Sequence, residues 1–271
     1  HLRCKLLQTE MPLHTQRHFF IFICYNPAMV EPLVLWKNEG ETPLACIDRA
    51  RRDGKIAEGV KATYAGRLDP MASGVLLVLV GDAVHEKENF LRLDKEYVVE
   101  VLLGVSTDTG DILGKVVAAK EFVEGNISQA VGVCVGEFVE EYPKYSSKTV
   151  EGKPLFQYAN EGEGVEMPQH TISISSIDML DTRTLGKQEL VDAVLARVAK
   201  IEGDFRQQDI IEKWSELARV SEIETFTLLT IRVTCGSGAY MRVLAEKIGR
   251  LLDVPALAYS IVRTRVGDFH I

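Results

Sequence analysis

Apolar positions along the chain switch between a period of two and a period near 3.6, and the switches predict an ordered series of elements. Leu33-Val34-Leu35-Trp36 reads as a strand. Thr42, Pro43 and a periodic stretch to Arg52 predict a capped helix with proline at its first position. Val75–Val80 is a continuous apolar run, suited to a strand covered on both faces. His85–Leu93 predicts a short helix, and the alternation of Tyr97, Val99, Val101 and Leu103 predicts a strand. Thr107-Asp108-Thr109-Gly110-Asp111 predicts a turn, with Lys115–Ala119 as the returning strand. Ser128–Val135 is weakly helical, Leu155–Asn160 reads as a short helix and Thr171–Leu180 as a strand. Leu190, Val191, Val194, Leu195, Val198 and Ile201 recur at helical spacing, so residues 187–201 form an amphipathic helix. Residues 203–221 are polar and read as inserted. Phe226–Val233 predicts a strand, Val243 to Leu252 a helix ending near Asp253, and Ile261–Phe269 a closing strand. Strands outnumber helices and do not alternate with them regularly. The expected class is therefore α+β, with a mixed sheet rather than a doubly wound parallel one.

Composition narrows this picture. The 271 residues, 46% hydrophobic and 26% charged, suffice for one large domain or one domain with an insertion, without disulfides or a structural metal. Residues 1–28 hold three of the six histidines and show no periodicity, so Met29 is the expected start and 1–28 a leader or non-core segment. A signal peptide is the weaker reading, because the apolar run Phe19–Cys24 is short and no small-residue cleavage site follows it. Cys4, Cys24, Cys46, Cys134 and Cys235 are odd in number and form no C-x-x-C pair. That indicates a reducing, cytoplasmic setting with no zinc site and no disulfide framework. Cys235 reads as a small packing residue.

The net charge of −8 argues, as an average, against a nucleic-acid partner. Its distribution weakens that argument. Residues 120–170 carry −5 and 181–224 carry −3, whereas 225–271 carry +3, including Arg242, Lys247, Arg250, Arg263 and Arg265. Arg51, Arg52, Lys55, Lys61 and Arg67 cluster before the next segment of interest. A local basic face can bind phosphates on an acidic molecule.

That segment is Tyr64-Ala-Gly-Arg-Leu-Asp-Pro-Met-Ala-Ser-Gly74, which feeds straight into the buried strand. Glycine before, proline just after and glycine beyond fix a loop against a sheet, so Asp69 is held by rigid backbone beside apolar walls. For a bare L-D-P, an ordinary turn with aspartate as cap is the simpler account. The longer string, G-x-L-D-P-x-A-x-G followed by L-x-x-x-x-G-x-A, resembles the signature of the TruB family, the tRNA pseudouridine-55 synthases. Four further blocks resemble the family in order, besides an opening Lys37 and Gly40. They are Lys95-Glu-Tyr97 with Leu103-Gly104 and Thr107–Asp111, Tyr142-Pro143-Lys-Tyr145-Ser146-Ser-Lys148 to Lys153, Cys235-Gly-Ser-Gly238-Ala-Tyr240-Met-Arg242, and Arg263-Thr264 with Gly267-Asp-Phe269.

The resemblance implies a pseudouridine synthase fold over residues 29–271. Its central sheet is mixed and largely antiparallel, with helices at its flanks, and residues about 186–224 resemble a family-variable region enlarged by insertion. It implies isomerisation of uridine to pseudouridine in the T-arm loop of tRNA, on a flipped-out base. No electron or group enters or leaves, so no redox or group-carrier cofactor and no metal are expected. Asp69 takes the family's nucleophile position, and Arg242 the position of the arginine that keeps such a carboxylate ionised in a dry site. Tyr97 matches the tyrosine that stacks on the target base, and Tyr240 a second active-site tyrosine. Ile261 falls where the family has a pocket leucine. Tyr64, Arg67, Lys37 and Lys148 are the remaining expected substrate contacts. Tyr240 and Arg242 are two apart, which a regular helix would turn to opposite sides, so the helix should begin between Ala239 and Met241.

Departures are local. Thr63-Tyr64-Ala65-Gly66 replaces the family's G-H-T-G, the opening K-P-x-G-x-T-S has become Lys37-Asn-Glu-Gly40-Glu-Thr42-Pro43, and His85 stands for a usual lysine. Asp69, Tyr97 and Arg242 are spared, which favours an active enzyme over a catalytically silent RNA-binding or RNA-folding protein. A glycosidase needs a second placed carboxylate, and only Asp69 sits in a convincing loop. The chain as read ends at Ile271, directly after the closing strand, so no C-terminal PUA domain is expected. The expected working form is a cytoplasmic monomer with no membrane association.

Overall fold

In the computed structural model, which describes residues 31–271, the apolar run at 75–80 becomes the inside of a nine-stranded sheet. In chain order the elements are β1 (Leu33–Lys37), α1 (Pro43–Arg52), β2 (Ala62–Ala65), β3 (Ser73–Val80), α2 (Lys87–Leu91, entered through a 3-10 turn at Gly81–Glu86), β4 (Lys95–Leu103), β5 (Val105–Thr107), β6 (Val116–Ala119), α3 (Ile127–Val133), β7 (Gly136–Glu141), β8 (Thr149–Val150), β9 (Lys153–Pro154), α4 (Leu155–Glu161), β10 (Gln169–Gly186), α5 (Lys187–Val198), α6 (Gln207–Val220), β11 (Thr225–Cys235), α7 (Met241–Leu251), β12 (Ala256–Val266) and β13 (Phe269–His270). The sheet runs β1-β3-β12-β4-β11-β10-β7, with β2 on β3 and β13 on β12. Only β3 and β12 pair in parallel, so the sheet is mixed and largely antiparallel, as the α+β expectation required.

Local chemistry explains the first helix. Thr42 Oγ1 accepts from Ala45 N at 3.1 Å, satisfying one free amide of the first turn, and Pro43 supplies the preset φ. The face formed by Cys46, Ile47 and Ala50 then closes over Leu35, Leu76 and Val78. The main core lies around β4, whose Val99, Val101, Leu102 and Leu103 are fully buried between β11 and β12 and beneath α7.

The structure departs from the sequence reading at several elements. Strands β2 and β7 carry no apolar alternation strong enough to mark them. Strand β10 runs on to Gly186 because β11 pairs with it along its length. Strand β12 starts at Ala256 rather than Ile261. The polar stretch at 203–221 contains α6, an amphipathic helix that turns Ile210, Trp214 and Leu217 inward. Residues 1–28, with Cys4 and Cys24, lie outside the described residues. Cys46, Cys134 and Cys235 are buried free thiols. Among the described residues, no helix is long and apolar enough to cross a membrane.

Candidate active site

The loop joining β2 to β3 is anchored by buried Leu68, Met71 and Ala72, and Ala72 N closes a tight turn on Asp69 O at 3.0 Å. Two buried cations fasten this loop from behind. Lys37 Nζ donates to Ala72 O at 2.5 Å, to Asn38 O at 3.0 Å and to Pro70 O at 3.4 Å. Arg263 Nε donates to Val75 O at 2.8 Å and its Nη2 to Gly66 O at 3.1 Å. Gly74 makes the approach of β12 possible. Its φ is +115°, and a Cβ there would lie 2.2 Å from Arg263 O. What remains for Asp69 is to project its carboxylate, 29% exposed, from an immobile turn.

Arg242 meets it there. Its Nε donates to Asp69 Oδ2 at 2.8 Å, and its Nη atoms donate to Thr109 O at 2.8 Å and Tyr145 O at 3.0 Å. These two carbonyls set the plane of the guanidinium. Tyr240 is the extended residue preceding α7, so it and Arg242 both address the site from an irregular helix start, as expected. A second carboxylate, Asp111 Oδ2, lies 3.6 Å from Arg242 Nε. Asp111 accepts from Thr109 Oγ1 at 2.8 Å and Leu113 N at 2.9 Å. Burial pushes its carboxyl up to about 6 despite the arginine.

The walls are aromatic and aliphatic. Tyr97 is buried on β4, directly paired with Arg263 on β12, and Ile261 is buried opposite Val99. Burial raises both tyrosine hydroxyls, Tyr240 to about 12, so each keeps its proton at neutral pH. Tyr240 meets Tyr142 and His170 edge-on, with centroids at 6.0 and 6.2 Å, and those two rings stack at 3.9 Å.

The structure thus brings together Asp69, Arg242, Tyr240 and the loop fastened by Lys37. Lys37 itself is fully buried with its ammonium bound to carbonyls, which suits holding the loop and leaves it no solvent-facing donor for a substrate; the substrate contact expected of it is corrected accordingly. Tyr64 and Arg67 lie at the outer end of the loop, joined by Arg67 Nη2 donating to Tyr64 Oη at 3.1 Å. Lys148 is exposed, its ammonium 5.2 Å from the Tyr142 ring centroid. The basic reading of 225–271 changes too, because Arg242 and Arg263 are buried and engaged. Sequence reasoning placed Thr109 and Asp111 in one family-like block and Tyr145 in another, but did not identify them as partners of Arg242. Among the described residues, no group of three or more metal-ligating side chains converges. The arrangement holds a partly accessible carboxylate beside a fixed cation and flat aromatic walls. That is a setting for nucleophilic or proton-transfer work on a planar ring.

The sequence profile of the TruB family pseudouridylate synthase N-terminal domain matches residues 54–199. A protein named tRNA pseudouridine synthase B from Aromatoleum aromaticum is 32% identical over 241 residues, which cover 88% of this chain and 64% of the relative. One of the same name from Listeria innocua serovar 6a is 32% identical over 238 residues, covering 87% of this chain and 66% of the relative. The chain therefore spans just under two thirds of the length of these relatives. Among solved structures, a crystal structure of a Cbf5-Nop10-Gar1 complex holds a chain of similar fold, with TM-score 0.53 and 21% identity, covering 90% of this chain and 55% of that one.

Proposed function

The chain belongs to the TruB family of pseudouridylate synthases, and from that premise we propose that it isomerises uridine to pseudouridine in tRNA, at the uridine of the T-arm loop. Asp69 is the nucleophile. The N1–C1′ bond breaks, the freed uracil turns within the pocket, and C5 bonds to the same C1′; C5 gives up a proton and N1 gains one. No electrons are exchanged, so no redox partner is required. Tyr97 offers a flat ring for the flipped base, and Arg242 pairs with Asp69 and aims it. The observation that carries the reading is the 2.8 Å pairing of Arg242 Nε with the accessible carboxylate of Asp69.

Incubating the chain with unmodified tRNA transcripts and mapping pseudouridine by position tests it. The expected product lies at the T-arm uridine. Asp69→Asn should lower its rate by ~10³-fold or more while still binding the transcript. Product only at other positions, or an Asp69→Asn protein as active as the parent, would sink the proposal.

A further inference from the structure

The connection between α5 and α6 lies in the segment that reads from the sequence as an insertion, yet it reaches the site through the protein. Arg206, just before α6, adopts φ +61°, a conformation that L residues seldom take. Its Nη1 donates to Asp108 Oδ2 at 2.7 Å, and its Nη2 reaches Oδ1 at 3.5 Å. Its guanidinium lies 4.8 Å from the centroid of the Tyr145 ring. Asp108 belongs to the turn that presents Thr109 O, and Tyr145 presents the other carbonyl that receives Arg242. One guanidinium therefore grips both segments that aim a second guanidinium at Asp69. The last turn of α5 and the start of the same connection brace the other side. Arg197 Nε donates to Glu39 Oε1 at 2.6 Å, and Gly40, beside it, donates to Pro70 O at 2.9 Å next to Asp69. A Cβ on Gly40, whose φ is +93°, would lie 2.7 Å from Lys200 O.

We propose that Arg206 is a positioning residue for the isomerisation, fixing through Asp108 and Tyr145 the two carbonyls that orient Arg242 against Asp69. The inference rests on the pseudouridine synthase reading. Its rival is that Arg206, with a side chain 27% exposed, is a phosphate ligand of the RNA.

Single-turnover conversion of an unmodified tRNA transcript, with the transcript's Kd measured in parallel, separates the two. Arg206→Ala and Asp108→Asn should each slow conversion about tenfold with Kd within about twofold of the parent. The double variant should be no slower than either single, because both break one clamp. Arg206→Lys keeps the charge without the fork and should remain close to Arg206→Ala. Parent-like rates in both single variants would overturn the proposal. So would a Kd that weakens in Arg206→Ala alone and recovers in Arg206→Lys. A parent chain that makes no pseudouridine at any position brings down the functional reading and this proposal together, whereas an active parent with unaffected variants brings down this one alone.

Discussion

Two carboxylates share one guanidinium, and their surroundings make them unlike. Asp69 faces the opening of the site, whereas the side chain of Asp111 is 6% exposed. One positive charge cannot fully compensate two negative ones, so the more deeply desolvated partner is the one whose ionisation is opposed. The Asp111 carboxyl accordingly sits at about 6, raised first by burial, with Arg242 pulling against the shift and Asp69 adding to it. A raised carboxyl keeps its proton in the fold after the unfolded chain has released its own. Stability from this group is therefore present below about pH 4 and is lost as pH rises through about 6. Asp111→Asn has no proton to lose there. The unfolding free energy of the parent minus that of the variant should fall between pH 4 and pH 7 and flatten above, as read from urea unfolding at a series of pH values. A difference that grows with pH would mean that Arg242 holds Asp111 ionised throughout. Asp69 and Arg242 were legible in the sequence because their neighbours spell out a pattern. Asp111 was legible as the end of a family-like turn but not as a partner of Arg242, since nothing local signals that its turn will meet the start of α7.

At the scale of elements, the sequence revealed what a single face or a fully apolar run could announce: β1, α1, β3, β4, α5, β11 and α7. It concealed the elements whose burial is narrow. Strand β7 turns few apolar residues inward and lies at the edge of the sheet, and of the fourteen residues of α6 only Ile210, Trp214 and Leu217 are buried, with Ile211 and Ala218 packed partly against the core. A polar average hides such a stripe, although the spacing of four and then three is helical. The stripe has consequences, because Trp214 is fully buried and its Nε1 donates to Gly114 O at 3.1 Å, next to the turn that holds Arg242. Trp214→Ala should destabilise the protein by about 3–5 kcal/mol through the cavity it leaves, with a further penalty for the unpaired carbonyl. In denaturant unfolding followed by circular dichroism, the whole transition should shift as one. A separate early loss of helix with an unchanged main transition would instead mark α6 as an appendage.

For the whole molecule, the proposed function poses the question of how a chain of net charge −8 would hold a polyanion. The basic tail at 225–271 is a weaker answer than its charge suggests. Arg242 and Arg263 spend their donors on Asp69 and on backbone carbonyls, and Lys247, 19% exposed, lies 3.7 Å from Glu140. Besides Arg232 and Arg250, which stay exposed in that tail, exposed cations are found at Arg52, Lys55, Lys61 and Arg67, before and within the approach to the Asp69 loop. Lys61 and Arg67 flank β2, and Arg67 also carries Tyr64, so this strand offers charge and an aromatic ring side by side. Phosphate contacts release counterions, and each lost contact lowers the salt dependence of binding as well as its strength. Lys61→Glu/Arg67→Glu should therefore weaken tRNA binding and flatten the slope of log K against log salt by about 0.7–0.9 for each contact removed. Lys213→Glu alters an exposed cation on α6 that is paired with Glu216. It should leave both quantities near those of the parent. Filter binding across a salt series measures the two together. A change in Lys213→Glu about half that of the double variant, in proportion to the charge altered, would show that the RNA responds to overall charge, and the localised basic face beside Asp69 would be refuted.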